Sequence, residues 1–277
     1  MSRTRILILT SLAMMAFAGN SLLCRAALKH TVIDPATFTA VRMFSGAAAL
    51  WLIVSLRTRS RPQGGSWPSA FALFAYAAAF SFAYVDLSAG TGALLLFGAV
   101  QATMILFGLW KGERLTGSQG IGLAVALCGL VALLLPGLSA PPLLSAILMV
   151  GAGIAWGVYS LRGKGAGDPL AATAGNFLRA VPFAVTLSLA LLTMARVDAK
   201  GIAYAIASGA LTSGIGYAIW YAALRGLKAT SAATIQLSVP VIAAIGGVLL
   251  LGEPITLRLF GASIAVLGGH RTGNRQI

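Results

Sequence analysis

Lys111-Gly112-Glu113-Arg114-Leu115-Thr116 and, 140 residues later, Leu251-Gly252-Glu253-Pro254-Ile255-Thr256 decide the reading of this chain. Each closes an apolar run with Gly-Glu and opens another soon after. The same offset lays Ala93 on Ala233 and Gly129 on Gly269. Further upstream, Phe17-Ala18-Gly19 lies over Ala155-Trp156-Gly157, and Asp34-Pro35 and Asp168-Pro169 each precede a new apolar run. A long internal period of this kind signals repeated architecture.

Working outward, apolar runs between charges and turn residues number ten. They are Ile6–Leu23, Pro35–Leu56, Trp67–Ser88, Gly90–Trp110, Thr116–Leu135, Pro141–Leu161, Pro169–Met194, Gly201–Leu224, Thr230–Leu251 and Ile255–His270. Most reach the roughly 20 residues that a helix needs to cross a bilayer. Runs such as Ile121–Leu135 do not alternate in polarity, which argues against a transmembrane barrel. The reading is an all-α integral membrane protein with ten transmembrane helices. Residues 1–135 form one five-helix repeat and 141–277 the other. Five is odd, so the second copy is inverted, a plan known in secondary transporters.

Composition agrees. Of 277 residues, 58% are hydrophobic and 9% charged, with a mean hydropathy of +0.89. A soluble domain carries about 25% charged residues, so an ordinary cytosolic enzyme, a disordered chain and a coiled coil are excluded. The net charge of +14 comes from 20 Lys and Arg against six Asp and Glu. These cations are scattered and no basic run with interleaved aromatics occurs, so nucleic acid is not expected as a partner. Thirteen of the 20 fall on the side of the N-terminus. Five, Arg25, Lys29, Arg196, Lys200 and Arg258, fall opposite, and Arg42 and Arg179 lie within spans. That bias places both termini in the cytoplasm of a bacterial-type inner membrane. Arg3 and Arg5 before an apolar run ending in Ala16-Phe17-Ala18 also fit a cleaved signal peptide. The likeness of the first segment to the internal sixth argues against cleavage.

With Gly-Glu in both halves, and Leu237-Ser238-Val239-Pro240 before the second, the sequence resembles the drug/metabolite transporter superfamily, EamA type. The first half departs from it, with Gly98-Ala99-Val100 where a proline is typical. Residues 88–98, SAGTGALLLFG, resemble its amino-acid exporter branch. The resemblance implies export of small amphipathic metabolites, amino acids foremost, by alternating access. A broad multidrug exporter and a non-transporting scaffold or enzyme subunit are the alternatives.

No enzyme is expected. The only histidines, His30 and His270, sit at helix ends, no serine or cysteine has a base beside it, and no paired carboxylate lies deep in a span. No metal or cofactor is implied. Cys24 and Cys128 read as small buried hydrophobes. All six acids, Asp34, Asp86, Glu113, Asp168, Asp198 and Glu253, lie at or near segment ends. Glu113 and Glu253 therefore read as helix caps or tethers, and the chain leans toward transport without a proton relay.

The candidate substrate residues are aromatic and amide. Tyr76, Phe80 and Tyr84 recur every fourth residue on one face of the third span. Trp220, overlying Phe80, is flanked by Tyr217 and Tyr221. The two sets would form opposite walls of a cavity lined by spans one, three, four, six, eight and nine. Trp156, Tyr159, Asn20, Gln101 and Gln236 complete it; packing and interhelical bonding are the plainer roles for all of these. Arg42 and Arg179 are expected to snorkel or to bind loop carbonyls, while Arg42 is also a candidate clamp for a substrate carboxylate. Gly153 and Gly157 read as a packing pair.

Overall fold

A computed structural model describes residues 2–58, 64–112, 117, 124–125, 128–129, 131, 140–163, 167–227, 235–254, 256–257, 259–261 and 263–264. Glu113 and most of the fifth and tenth apolar segments lie outside this set. All regular structure among the described residues is helical: α1 (Arg3–His30), α2 (Pro35–Thr58), α3 (Trp67–Ala83), α4 (Ala89–Trp110), α5 (Leu143–Gly163), α6 (Pro169–Ala190), α7 (Ala199–Leu224) and α8 (Ser238–Leu251). Six are long and apolar enough to cross a membrane, and α3 and α8 are shorter apolar helices.

Short polar caps start these helices. Ser66 and Ser88 accept the Ser69 and Thr91 amides, and Asp168 and Asp198 open α6 and α7 in the same way. Asp34 does more. Its Oδ1 accepts the Ala36 and Thr37 amides at 2.9 Å each, and its Oδ2 accepts the Arg196 amide at 3.0 Å. It thereby ties the start of α2 to the chain between α6 and α7. Desolvation pushes the Asp34 carboxyl up, but bonds from Thr37, Arg196 and Ala36 together hold it below its ordinary value. Stability linked to a lowered carboxyl is complete above the ordinary value of about 3.9 and is lost as pH falls through the folded value. Asparagine retains the cap but not the second acceptor. Asp34→Asn is therefore expected to cost about 0.5–1.5 kcal/mol near neutral pH and to flatten the acid limb of a melting-temperature profile taken below about pH 4.

The helices close into a ring. α1 packs on α7, α7 on α2, α2 on α6, α6 on α3, α3 on α5, α5 on α4, α4 on α8 and α8 again on α1. Small residues permit the approach: a Cβ at Gly153 would meet Ala99 Cβ and the Leu96 carbonyl at 2.6 Å, and one at Gly157 would meet Thr103 Cβ at 2.8 Å. The ring turns apolar side chains outward, among them Leu7, Phe44, Leu56, Leu143 and Leu249, and buries Asn20, Arg42, Ser81, Thr173, Asn176, Ser208 and Thr212. Such continuous outward apolar faces suit lipid rather than water.

Several boundaries differ from the sequence reading. α1 continues past Leu23 to His30 because the charges that seemed to end it are partnered: Arg25 binds Glu253 and two carbonyls, and Lys29 Nζ donates to the Leu251 carbonyl. α3 stops at Ala83, since Ser88 is the cap of α4. α6 ends at Ala190, and a short 3₁₀ turn, Leu192–Met194, takes up the rest of the seventh run. α8 starts at Ser238 because the chain turns at Leu237. Pro240 has no N–H to offer the Gln236 carbonyl, and Ser238 Oγ donates to the Ile235 carbonyl at 2.7 Å. Cys24 is buried as expected, whereas Cys128 is exposed, since an apolar residue of a membrane protein need not face its core.

Candidate functional site

The polar centre of the ring is built from α1, α2, α3, α5, α6 and α7. Residues 207–215 of α7 are wound as a π-helix, the wider turn that often marks functional positions. This winding brings Ser208 and Thr212 onto α1, where the Ser208 hydroxyl donates to Asn20 Oδ1 at 2.7 Å and Thr212 Oγ1 lies 3.4 Å from it while donating to the Ser208 carbonyl at 2.7 Å. Asn20 Nδ2 in turn donates to the Tyr76 hydroxyl at 3.2 Å, and Arg42 Nη2 donates to the same oxygen at 3.1 Å.

The Arg42 expectation is overturned. Its side chain neither snorkels nor reaches a loop; the residue is 1% exposed. α2 faces the ring interior at this point, and the guanidinium carbon lies 4.9 Å from the Phe80 ring centroid and 5.3 Å from that of Tyr76. Among the described residues, Arg42 Nε and Nη1 have no hydrogen-bond partner. Arg179, by contrast, binds the Gly64 and Gly175 carbonyls, as a peripheral arginine should.

The aromatic residues meet rather than face one another across a gap. Trp156 sits between the two sets, 4.8 Å from Tyr76 and stacked 5.5 Å from Tyr217. Tyr159 lies 5.3 Å from Trp156 and donates to Thr173 Oγ1, which also bonds the Tyr221 hydroxyl. Phe17 joins Tyr217 to Trp220 at 5.8 Å from each. Tyr84 stands apart at the end of α3. Its ring packs 4.6 Å from Phe80 and against Gly92, and its hydroxyl donates to the Ala89 carbonyl. Gln101 and Gln236 are half-buried, and no hydrogen bond among the described residues joins them to the cluster. Phe17, Thr173, Asn176, Ser208 and Thr212 were missed; for the last four the available signal was polar side chains three or four residues apart within apolar runs.

Both ends of α3 are pinned. Near its C-terminus, Arg25 Nε pairs with Glu253 Oε1 at 2.9 Å while Nη1 takes the Tyr84 and Val85 carbonyls. Glu253 Oε2 accepts the Ala89 amide at 2.8 Å, so this acid is a tether. Near the N-terminus of α3, Arg162 Nε donates to Ser69 Oγ and Asn176 Oδ1 accepts the Ser66 amide. Among the described residues, no three His, Cys, Asp or Glu side chains gather into a metal site.

The whole chain superposes on the whole of a solved crystal structure with a TM-score of 0.69 at 17% identity, which establishes a shared fold. An uncharacterised protein of Pseudomonas aeruginosa is 62% identical over 266 residues, 96% of this chain and 93% of its own. An uncharacterised transporter of Archaeoglobus fulgidus is 25% identical over 88% of this chain and 90% of its own. A probable terminal-alkyne amino-acid exporter of Streptantibioticus cattleyicolor is 32% identical over 70% of this chain and 67% of its own. The EamA-like transporter family matches residues 4–135 and again 143–270. An all-helical ring with lipid-suited outer faces, a polar aromatic centre and two family matches leaves one assignment: this chain belongs to the EamA-like transporter family.

Proposed function

We propose that the chain exports small amphipathic metabolites, with amino acids and compounds derived from them the favoured class, across a bacterial-type inner membrane with both termini in the cytoplasm. The observation that carries this is the polar, aromatic centre enclosed by an apolar-faced ring. Stacked rings cover the apolar part of a solute while amide, hydroxyl and guanidinium groups orient its polar part. The name of the Streptantibioticus relative supports the cargo class.

The mechanism is alternating access between two inverted halves, completed to ten helices by the fifth and tenth segments. The ring supports it: exchanging α1 with α5, α2 with α6, α3 with α7 and α4 with α8 maps its order of contacts onto itself. Opening toward one side breaks the Arg25–Glu253 group, and opening toward the other breaks the Arg162–Ser69 and Asn176–Ser66 bonds. The multidrug alternative fits less well, because a cationic drug would meet the unpaired charge of Arg42.

Purified protein in sealed proteoliposomes is expected to move members of an amino-acid and amino-acid-derivative panel, and to keep doing so when a protonophore collapses the pH gradient. Failure to move any member of the panel would remove the transporter reading. Uphill movement that requires the pH gradient would remove the proton-independent part alone.

A further inference from the structure

Arg42 carries a full positive charge at the centre of a membrane protein with no acid beside it among the described residues. The described acids are all engaged elsewhere. Asp34, Asp168 and Asp198 cap helices, Asp86 accepts from Ser145, and Glu253 holds Arg25. The guanidinium has five N–H donors. The Nε hydrogen and both Nη1 hydrogens lack an acceptor. The Tyr76 oxygen already accepts from Asn20 and Arg42, and its own proton finds no acceptor among the described residues. Asn20 Oδ1 already accepts from Ser208, and the single Thr212 proton goes to the Ser208 carbonyl at 2.7 Å. The centre thus holds unfilled, charged donors and, among the described residues, no carboxylate to accept from them. Ring faces of Tyr76 and Phe80 offset part of the charge, but a buried cation left with ring faces alone remains costly.

That imbalance specifies the missing group. An anion supplies acceptors to Arg42 and Tyr76 together, and a carboxylate has two oxygens with lone pairs for both. A zwitterion brings an ammonium beside its carboxylate, and that second cation would lie against the Arg42 charge with only neutral hydroxyl oxygens, such as those of Ser208 and Thr212, to accept from it. We propose that Arg42 and Tyr76 anchor the carboxylate of an amphipathic monocarboxylate that lacks a neighbouring ammonium, its apolar part lying along Trp156 and Tyr217. Resting on the transporter reading above, this narrows the cargo to amino-acid-derived carboxylates, such as deaminated or N-acylated forms, ahead of free amino acids.

The test uses three probes that share a phenyl ring and differ at the charged end: 3-phenylpropionate, phenylalanine and phenethylamine. Binding to the purified full chain is followed by isothermal titration calorimetry. 3-Phenylpropionate is expected to bind about tenfold or more tightly than phenethylamine, and more tightly than phenylalanine, the scale of a lost charge-assisted hydrogen bond. In Arg42→Gln that advantage is expected to collapse to within about twofold, and Tyr76→Phe, which keeps the ring, to lose part of it. Equal or tighter binding of phenylalanine or phenethylamine, no binding of 3-phenylpropionate, or an unchanged ranking in Arg42→Gln would each overturn the anchor. If Arg42→Gln does not fold, the wild-type ranking and Tyr76→Phe decide. The two readings fail separately: proteoliposomes that move panel members while the ranking is reversed leave the transporter standing and remove the anchor.

Discussion

Glu253→Gln is expected to lower stability by about 3–5 kcal/mol, the usual cost of removing one partner from a buried ion pair. Both side chains are largely buried, at 12% exposure for Arg25 and 6% for Glu253. The geometry explains why the loss is large. Gly252 adopts a left-handed conformation, with φ 61° and ψ 30°, that ends α8 and sends the Glu253 amide back to the Gly247 carbonyl at 3.0 Å. The carboxylate is thereby delivered to Arg25 on α1 and to the Ala89 amide on α4, so one side chain joins three helices. Glutamine can still accept from Ala89, but it leaves the guanidinium charge unpaired. Arg25→Gln should cost a similar amount, and the double variant less than the sum, because neither charge is then stranded. Thermal melting of the purified protein in detergent would measure all three. Costs that simply add would show that the pair is not the coupling element.

Gly209→Ala is expected to destabilise by about 1–3 kcal/mol or more, although alanine favours a helix over glycine by about 1 kcal/mol. A Cβ at Gly209 would overlap Ser45 Oγ and the backbone carbonyl of Arg42. The carbonyl cannot move without shifting α2 away from α7 and carrying Arg42 with it. Gly151→Ala on α5 is the control: a Cβ there meets nothing within 4 Å, so the same substitution should be neutral or stabilising. Melting temperatures of the two variants should move in opposite directions. A Gly209→Ala protein as stable as the parent would show that the α2–α7 approach is not close.

The spans were legible because hydropathy and length act locally: six long apolar helices lie where the apolar runs do. What failed was long-range. Arg25 looked like the end of a helix because its partner, Glu253, is 228 residues away. Arg42 looked peripheral because position along a helix says nothing of which face meets the ring centre. The third-span stripe correctly singled out Tyr76 and Phe80, since a period of four fixes a face. It carried Tyr84 along although α3 ends one residue earlier. The π-helical winding that presents Ser208 and Thr212 has no simple sequence period to reveal it.

The confinement of every described acid to a helix end has an electrical consequence. No described acid balances Arg42, so the empty centre is positive and a bound anion makes it neutral. A carrier that releases such an anion to the outside moves negative charge out of a cell whose interior is negative. Each 100 mV of membrane potential then contributes about 2.3 kcal/mol per charge, equivalent to a concentration ratio of roughly fiftyfold. The voltage across the membrane would supply the driving force, and the charge left on the returning empty carrier would set how strongly its cycle slows as that voltage changes.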